Sequence, residues 1–293
     1  MITGEYAALD GAKVLSVPTK KGQKITIKNS RGSDLIWESL DHEGKKWFNS
    51  QISLYDFSAV NTSDEEKSKY LQNILKNAVR LNSEFLSKWN GFKAITKLDF
   101  PTDWGLGSSA TLINLVAQWA EINPLLLYFK VENGSGYDVA TSMVEEPIIY
   151  FANEDEISYT PCDFDPSFKD NLYFVHLNQK QNTKQGIADY LKVVKKRREL
   201  VKSISEITEA VLECSDLKGF DKLIQEHESI ISSYTGFKKV KDTHFTDYWG
   251  SVKSLGAWGG DFALATSEKN EKETKAYFNE KGFKTVVNYS DMV

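Results

Sequence analysis

Short runs in which apolar and polar residues alternate fill the first part of the chain, and glycines separate them. Alternation with a period of two is typical of a strand with one buried face. Strand-like runs occur at residues 24–28, 35–37, 47–52, 92–100, 147–151, 172–177, 262–266 and 285–289. Because Gly22, Gly32 and Gly44 fall between the first runs, we expect these strands to be joined by short turns.

Apolar positions spaced by three or four residues predict helices in the rest of the chain. The predicted helices cover residues 64–89, 110–122, 183–214, 216–234 and 269–281, with a further short helix around Asp138. The first of them follows Thr62-Ser63-Asp64, whose side chains are good N-caps. Strands and helices follow one another without a regular βαβ period, which favours the α+β class over a doubly wound sheet.

The composition is typical of a folded domain in a reducing compartment. The 293 residues include 36 Lys and Arg against 41 Asp and Glu, a formal net charge of −5, which argues against a general nucleic-acid binder. Cys162 and Cys214 are too few for a disulfide scaffold and lack the spacing of a zinc site. The sequence shows neither an apolar stretch long enough for a bilayer nor a signal-peptide pattern. We therefore expect a cytoplasmic protein with no nucleic-acid and no membrane partner.

The strongest chemical signal is a glycine-rich turn between a predicted strand and a predicted helix, Gly105-Leu106-Gly107-Ser108-Ser109-Ala110. Glycines allow close approach to the backbone and positive φ angles. The helix that follows presents free N–H groups and the positive end of its dipole, which together favour an anion. The pattern is neither a Walker A loop nor the nucleophile elbow of a hydrolase. A tight turn with serine caps is the alternative interpretation.

Two further glycine-rich segments contain an acid. Residues 134–138, Gly-Ser-Gly-Tyr-Asp, place Asp138 just after a loop, where an aspartate can be a helix cap, a metal ligand or a base. Residues 256–261 place glycines and Asp261 at the start of a strand, and a bulged hairpin turn is the alternative there. Taken alone, neither segment identifies a function.

Together with the first residues, these segments resemble the GHMP kinases, the superfamily of galactokinase, homoserine kinase, mevalonate kinase and phosphomevalonate kinase. Residues 3–11 (TGEYAALDG) are similar to the family's opening motif, which we call the first motif. Residues 101–110 are similar to its P-x-x-x-G-L-G-S-S-A phosphate loop, and residues 256–261 to its glycine-rich third motif. Within the family, residues 134–140 (GSGYDVA) are most similar to phosphomevalonate kinases.

The resemblance implies the two-domain α+β fold of the GHMP kinases. A ribosomal-protein-like N-terminal domain would cover residues 1–165 and a ferredoxin-like C-terminal domain residues 166–293, with the boundary in the proline-bounded segment 161–166. The resemblance also implies ATP and Mg²⁺ as cofactors, bound with a small-molecule substrate between the domains.

The resemblance also implies roles for individual residues. Asp138 would be catalytic and face the acceptor oxygen of the substrate, and Ser109 would touch Mg²⁺. The ATP phosphates would lie on Gly105, Leu106, Gly107, Ser108, Ser109 and Ala110. The substrate would contact Glu5, Tyr6, Ser135, Gly136, Lys184, Gly259 and Gly260. For Lys184 and its neighbour Lys180, two solvated lysines are the alternative.

The implied activity is ATP-dependent phosphorylation of phosphomevalonate or mevalonate by a monomer or a homodimer. Asp138 would serve as a base for a hydroxyl acceptor, whereas a phosphate acceptor is already anionic and needs only positioning. Leu127 stands where mevalonate kinases carry a Mg²⁺-binding glutamate, which favours phosphomevalonate. Trp104 and Trp258 stand where the family has small residues, and we expect these indoles to reshape or cover the pocket. A kinase for another small alcohol and a catalytically silent sensor are the alternatives.

Overall fold

The computed structural model of the chain describes residues 1–87, 90–153, 155–179, 183–195, 197–258 and 260–293. These residues form two compact units. The terminal unit consists of Met1–Lys20, Asp103–Gly105 and Val144–Val293. The middle unit consists of Lys21–Thr102 and Leu106–Met143.

The secondary-structure elements are numbered along the chain. The strands are β1 (Val14–Ser16), β2 (Gln23–Ser30), β3 (Asp34–Leu40), β4 (Lys46–Ser53), β5 (Ala59–Thr62), β6 (Gly91–Leu98), β7 (Ile148–Ala152), β8 (Ile157–Pro161), β9 (Leu172–His176), β10 (Val252–Ser254), β11 (Phe262–Thr266) and β12 (Val286–Asn288). The helices are α1 (Glu65–Leu81), α2 (Ser108–Trp119), α3 (Pro124–Val131), α4 (Tyr137–Ser142), α5 (Thr183–Val193), α6 (Arg197–Leu212), α7 (Leu217–Thr235), α8 (Val240–His244), α9 (Glu271–Glu280) and α10 (Tyr289–Met292).

The sheet of the middle unit has the strand order β2-β6-β3-β4-β5. Neighbouring strands pair antiparallel, except β3 and β6, which run parallel. In β3 the residues alternate between a buried face, with Leu35 and Trp37, and a half-buried face, with Ile36 and Glu38. The alternating sequence pattern therefore predicts β2, β3, β4 and β6 correctly, with bounds shifted by a few residues.

Helix α1 of the middle unit begins where the sequence predicts it. The carboxylate of Asp64 accepts a hydrogen bond from Lys67 N at 3.0 Å, so the predicted N-cap is confirmed. The helix ends at Leu81, earlier than predicted, because Asn82 takes an extended conformation and donates its side-chain amide to Ala120 O at 2.8 Å. Helix α3, which was not predicted, is apolar on nearly all sides and so lacks a helical pattern.

The terminal unit contains the sheets β1-β7-β8 and β10-β11-β9-β12, whose described pairs are antiparallel. The helix predicted over 183–214 is wrong as one element, because α5 ends at Val193 and α6 begins at Arg197. The guanidinium of Arg197 donates to Leu191 O at 3.2 Å and to Val194 O at 3.4 Å, which caps the carbonyl end of α5.

The pairing of β1 with β7 explains the division into units. Val14 lies opposite Tyr150 in this sheet, so the first residues of the chain group with the residues after 144. The compact units therefore divide the chain at other positions than residue 165, and the predicted domain boundary stays a prediction.

A buried hydrophobic cluster of the terminal unit includes residues of the first motif. Its members come from the first motif and the residue after it, from α5 and the residue after it, from α6 and α7, and from the third motif; they are Tyr6, Ala7, Ala12, Tyr190, Val194, Leu200, Ile204, Ile231 and Trp258. Within the part of the chain that the structure describes, no helix is both long and apolar enough to cross a membrane.

Candidate functional site

The N-terminus of α2, in the middle unit, is built from the predicted phosphate loop. Gly107 is its N-cap with a left-handed φ of 75°, and no side chain among the described residues caps this helix. Thr111 N donates to Gly107 O at 3.0 Å, which closes the first turn. The N–H groups of Ser108 and Ser109 precede this first helical hydrogen bond, so the helix does not use them. They form, with the helix dipole, a surface suited to phosphate oxygens.

The side chains of the loop differ in exposure. Ser109 is exposed and Ser108 is half-buried, so both hydroxyl groups lie near the helix N-terminus with access to solvent. Leu106 is half-buried, and Ala110 is buried on the inner face of α2. Only the serines of this loop therefore offer side-chain oxygen atoms to a ligand.

Gly105 belongs to the terminal unit, where it lies against Asp261 of the third motif. A Cβ atom at Gly105 would overlap the Asp261 carboxyl group, and the φ of Gly105 is 63°, so both the contact and the backbone favour glycine here. Asp261 has a φ of 53°; its N–H donates to Gln179 O at 2.6 Å and its carbonyl accepts from Leu177 N at 2.7 Å. The sequence predicts both motifs but not their contact.

Asp103 and Trp104 attach the start of the loop to the sheet that contains β9 and β11. His176 Nε2 lies 3.2 Å from Asp103 O. The Trp104 ring meets Phe262 edge to face, with ring centroids 5.4 Å apart, and lies 6.4 Å from the His176 ring. In the terminal unit the Trp104 indole therefore packs against the side chains of this sheet.

Asp138 lies in the first turn of α4, in the same unit as the N-terminus of α2. The turn begins at Gly136, which is buried and has a left-handed φ of 82°, and the preceding Ser135 is half-buried. Helix α4 packs on α2, where Asn114 Nδ2 donates to Ser142 O at 2.8 Å. The fold thus brings Asp138 and the phosphate loop onto two adjacent helices.

The surroundings of Asp138 shift the pKa of its carboxyl group. Burial raises the pKa of Asp138, the N–H of Val139, which donates to Oδ1 at 3.0 Å, opposes the rise, and the nearby charge of Glu132 adds to it. A carboxyl group with a raised pKa is a stronger base when it is ionised.

Three residues that come close to Asp138 are not among the predicted site residues. The hydroxyl of Tyr128 occupies the space that a Cβ at Gly134 would need, which accounts for the glycine there. Burial raises the pKa of Tyr70, and Glu132 raises it further through its charge and a hydrogen bond. Tyr70 belongs to α1, Tyr128 to α3, and Glu132 follows the last residue of α3, so the packing of these helices places all three near Asp138.

Glu5 of the first motif is wholly enclosed in the terminal unit. Its Oε1 forms an ion pair with Lys253 Nζ, and both side chains are 0% exposed. Its Oε2 lies 3.2 Å from His227 Nε2. Burial raises the pKa of Glu5, and the charge of Lys253 opposes the rise. Direct contact of Glu5 with substrate stays a prediction.

Tyr6 is buried next to Glu5 and touches the third motif. Its hydroxyl accepts a hydrogen bond from Trp258 N at 3.2 Å, and its ring stacks on Tyr190 with centroids 5.4 Å apart. Its hydroxyl also faces Gly186 of α5, where a Cβ would lie 2.9 Å away. Trp258 is 4% exposed. The indole of Trp258 is thus a core residue, which does not fit the expected cover over a pocket.

The other residues predicted to lie near the substrate belong to the third motif and to the region around the start of α5. Gly260, near the end of the third motif and just before β11, is buried. Gly259 and Lys180 lie outside the described residues, and Lys184 belongs to α5 while its side chain lies outside the described part.

The residues present fit a Mg²⁺ ion that would be bound partly by the protein and partly by the phosphates of ATP. Magnesium is usually bound by one or two protein oxygen atoms together with substrate phosphates, and the Ser109 hydroxyl is exposed at the helix N-terminus. Leu127 is 0% exposed in α3 and offers no ligand atom. No group of three or more His, Cys, Asp or Glu that could hold a metal ion occurs in the described ranges.

No model of a known protein family matches the sequence, and no curated protein matches it. Solved structures match over nearly the whole chain. Mevalonate kinase from Methanococcus jannaschii is similar with a TM-score of 0.70 and 18% identity, over 98% of this chain and 94% of that chain. Phosphomevalonate kinase from Streptococcus pneumoniae, in complex with phosphomevalonate and AMPPNP, is similar with a TM-score of 0.71 and 14% identity, over 97% of this chain and 96% of that chain.

A sugar kinase is similar as well. Galactokinase from Lactococcus lactis, complexed with galactose, has a TM-score of 0.67 and 15% identity, over 96% of this chain and 86% of that chain. The chain thus has the fold of the GHMP kinases, as its motifs predict, and the predicted α+β class is confirmed.

Proposed function

We propose that this protein is an ATP- and Mg²⁺-dependent kinase of the mevalonate pathway, with phosphomevalonate or mevalonate as acceptor. The observation that carries the proposal is the N-terminus of α2, which has no side-chain cap among the described residues, follows the left-handed Gly107, and starts a helix that packs beside the helix that bears Asp138. Its residues resemble the phosphate loop of the GHMP kinases, and the shared fold supports the same use.

In this proposal the phosphate loop binds ATP through its backbone. The N–H groups of Ser108, Ser109 and Ala110 point along the start of α2 and donate to phosphate oxygens, with the helix dipole favouring their negative charge. Phosphoryl transfer depends mainly on alignment and charge stabilisation. When bound, Mg²⁺ supplies neutralisation of the phosphate charge, and the exposed Ser109 hydroxyl would hold it.

Asp138 acts on the acceptor, and its role depends on which acceptor binds. A hydroxyl acceptor loses a proton during transfer, and a carboxylate with a raised pKa takes it up. A phosphate acceptor is already anionic, so Asp138 would only orient it. We favour phosphomevalonate because residues 134–140 resemble phosphomevalonate kinases and because Leu127 replaces the glutamate of mevalonate kinases.

The nucleotide site is tested by titrating the protein with ATP in the presence and absence of Mg²⁺. We expect Ser109→Ala to weaken Mg²⁺-ATP binding by about tenfold while metal-free ATP binds within about threefold of wild type. Ser233→Ala, on the exposed side of α7, serves as the control. If the protein binds no ATP under either condition, the kinase proposal fails.

A further inference from the structure

Lys253 is an enclosed cation that no sequence motif identifies. It lies on β10, its side chain is 0% exposed, and its Nζ donates to Glu5 and, at 2.9 Å, to Ser254 O. An ammonium group taken out of water is costly unless its hydrogen bonds are satisfied within the protein. Glu5 is therefore the group that makes a lysine tolerable at this position.

The ion pair joins two segments that the chain order keeps far apart. Glu5 belongs to the first motif, and Lys253 comes three residues before Gly256, where the third motif begins. The next residue of the first motif makes a second link, because the Tyr6 hydroxyl accepts from Trp258 N at 3.2 Å. Two consecutive residues of the first motif thus hold both ends of the segment 253–258.

Helix α7 forms hydrogen bonds next to both members of the ion pair. His227 Nε2 accepts the N–H of Gly4 at 3.1 Å, which fixes the backbone just before Glu5. Glu228 Oε1 accepts the N–H of Ser254 at 3.3 Å, which fixes the backbone just after Lys253. Two neighbouring residues of one helix therefore fix the backbone next to each member of the ion pair.

We propose that Lys253 is a positioning residue that, through Glu5, fastens the start of the third motif to the first motif. In this role Glu5 affects the substrate through the third motif rather than by contact. The kinetic part of this inference rests on the proposed function. The structural part does not, because it concerns only how the segment 254–258 is held.

Hydrogen–deuterium exchange of the ligand-free protein tests the structural part. We expect Glu5→Gln and Lys253→Met to speed exchange in peptides that cover residues 254–258 by about tenfold, while peptides of β7 keep the wild-type rate. Lys253→Arg should restore part of the protection. Lys13→Met, which removes the exposed ion pair with Glu209, is the matched control and should change neither region.

A double variant separates positioning from general stability. Replacing both members of a buried ion pair by apolar residues of similar volume often keeps a protein stable, so Glu5→Met/Lys253→Met should unfold near the wild-type temperature and still exchange fast at 254–258. Wild-type exchange at 254–258 in a folded variant overturns the proposal. Failure of all these variants to fold also overturns it, because the pair would then support the whole unit.

Kinetics provide the functional readout. For Glu5→Gln and Lys253→Met we expect the acceptor KM to rise by about tenfold with kcat changed less than about threefold, and the double variant Glu5→Gln/Lys253→Met to be no worse than either single one. Additive losses in kcat would make Glu5 a direct ligand and overturn the positioning role. If no acceptor is turned over, the proposed function fails and the exchange experiment alone decides this inference.

Discussion

Burial raises the pKa of the carboxyl groups of Asp138 and Glu228, but the two groups have different neighbours. Asp138 receives the N–H of Val139, lies near the charge of Glu132, and stands beside the phosphate loop helix. Glu228 accepts the N–H of Ser254 and faces the Glu5–Lys253 pair. In the proposed function the first exchanges a proton with a substrate, whereas the second keeps its proton inside the protein.

At Asp138, one substitution distinguishes the two acceptors. If the acceptor is a hydroxyl, Asp138→Asn should lower kcat by about 100-fold or more, because it removes the base. If the acceptor is a phosphate, the loss should stay below about tenfold and appear mainly in KM. Steady-state ADP release with mevalonate and with phosphomevalonate measures both values. A wild-type kcat with a hydroxyl acceptor would leave Asp138 as a helix residue without a chemical role.

Glu228→Gln should remove a loss of stability that wild type shows as the pH rises from 4.5 to about 8. Burial raises the pKa of Glu228 to about 8, from an ordinary value of 4.5, and the nearby Glu5 raises it while Lys253 lowers it. The native state thus keeps a proton that the unfolded state releases, and wild-type stability falls as the pH rises from 4.5 to about 8, by up to about 1.4 kcal/mol per pH unit. Glutamine resembles the protonated acid and does not titrate.

Urea unfolding at several pH values measures this effect. The free energies of unfolding of Glu228→Gln and wild type should be similar near pH 5 and should diverge, with the variant more stable, toward pH 9. Glu226→Gln, exposed on the same helix, is the control and should follow wild type. A wild-type slope in Glu228→Gln would mean that Glu228 is ionised in the native state.

At the scale of elements, the phosphate loop joins the two units of the fold, since Gly105 belongs to one and Leu106 to the next. Its helix supplies the free N–H groups, and Asp261 fills the space where a side chain at Gly105 would lie. The glycine at 105 is thus set by a contact with the third motif, and the glycine at 107 by the left-handed N-cap. One motif serves two structural requirements.

Gly105→Ala should be more harmful than alanine at an equally left-handed but open position. Gly44 has a φ of 85° with nothing within 4 Å of its Cβ position, so Gly44→Ala measures the backbone strain alone, about 1 kcal/mol. Gly105→Ala adds the overlap with Asp261, about 1–3 kcal/mol more. Comparing Gly105→Ala in the wild-type and Asp261→Ala backgrounds by urea unfolding should show that the extra loss disappears. An unchanged loss would place the strain elsewhere.

Leu127 is a core residue of α3, and the helix cannot accept a charge there. We expect Leu127→Glu to lower the free energy of unfolding by about 3 kcal/mol or more, because an unpaired carboxyl would be buried. Leu126→Glu is the matched control, since Leu126 is the neighbouring residue of the same helix and is 58% exposed. Urea unfolding and Mn²⁺ binding are the measurements. Equal stability of the two variants, with tighter Mn²⁺ binding at position 127, would show instead that a metal-binding glutamate can be accommodated.

At the scale of the whole molecule, local sequence patterns predict most of the strands and helices, and the motifs are recognisable in the sequence itself. The alternating runs give β2, β3, β4 and β6, and the capping residues give the start of α1, because these depend on neighbours in sequence. The pairing of β1 with β7, the ion pair of Glu5 with Lys253 and the contact of Gly105 with Asp261 all join distant parts of the chain. Such contacts are fixed by packing and leave no periodic signal in the sequence.

The same distinction applies to the candidate site. The glycine and serine residues of the predicted phosphate loop are visible in the sequence because the proposed phosphate binding at a helix N-terminus depends on residues that are neighbours along the chain. Tyr70 and Glu132 are not predicted to lie beside Asp138, because they approach it only when α1 and α3 pack. The net charge of −5 likewise leaves anion binding to these local groups, since the chain as a whole does not attract a polyphosphate.

Phosphorus NMR of the purified protein with ATP, Mg²⁺ and one acceptor at a time tests the proposed kinase activity most directly. With phosphomevalonate we expect the signals of ADP and of a new phosphoanhydride to grow together; with mevalonate, ADP and a phosphomonoester. Homoserine and galactose serve as comparison acceptors. ATP that binds to the protein yet stays intact with every acceptor would show that the phosphate loop serves a sensor and not a kinase.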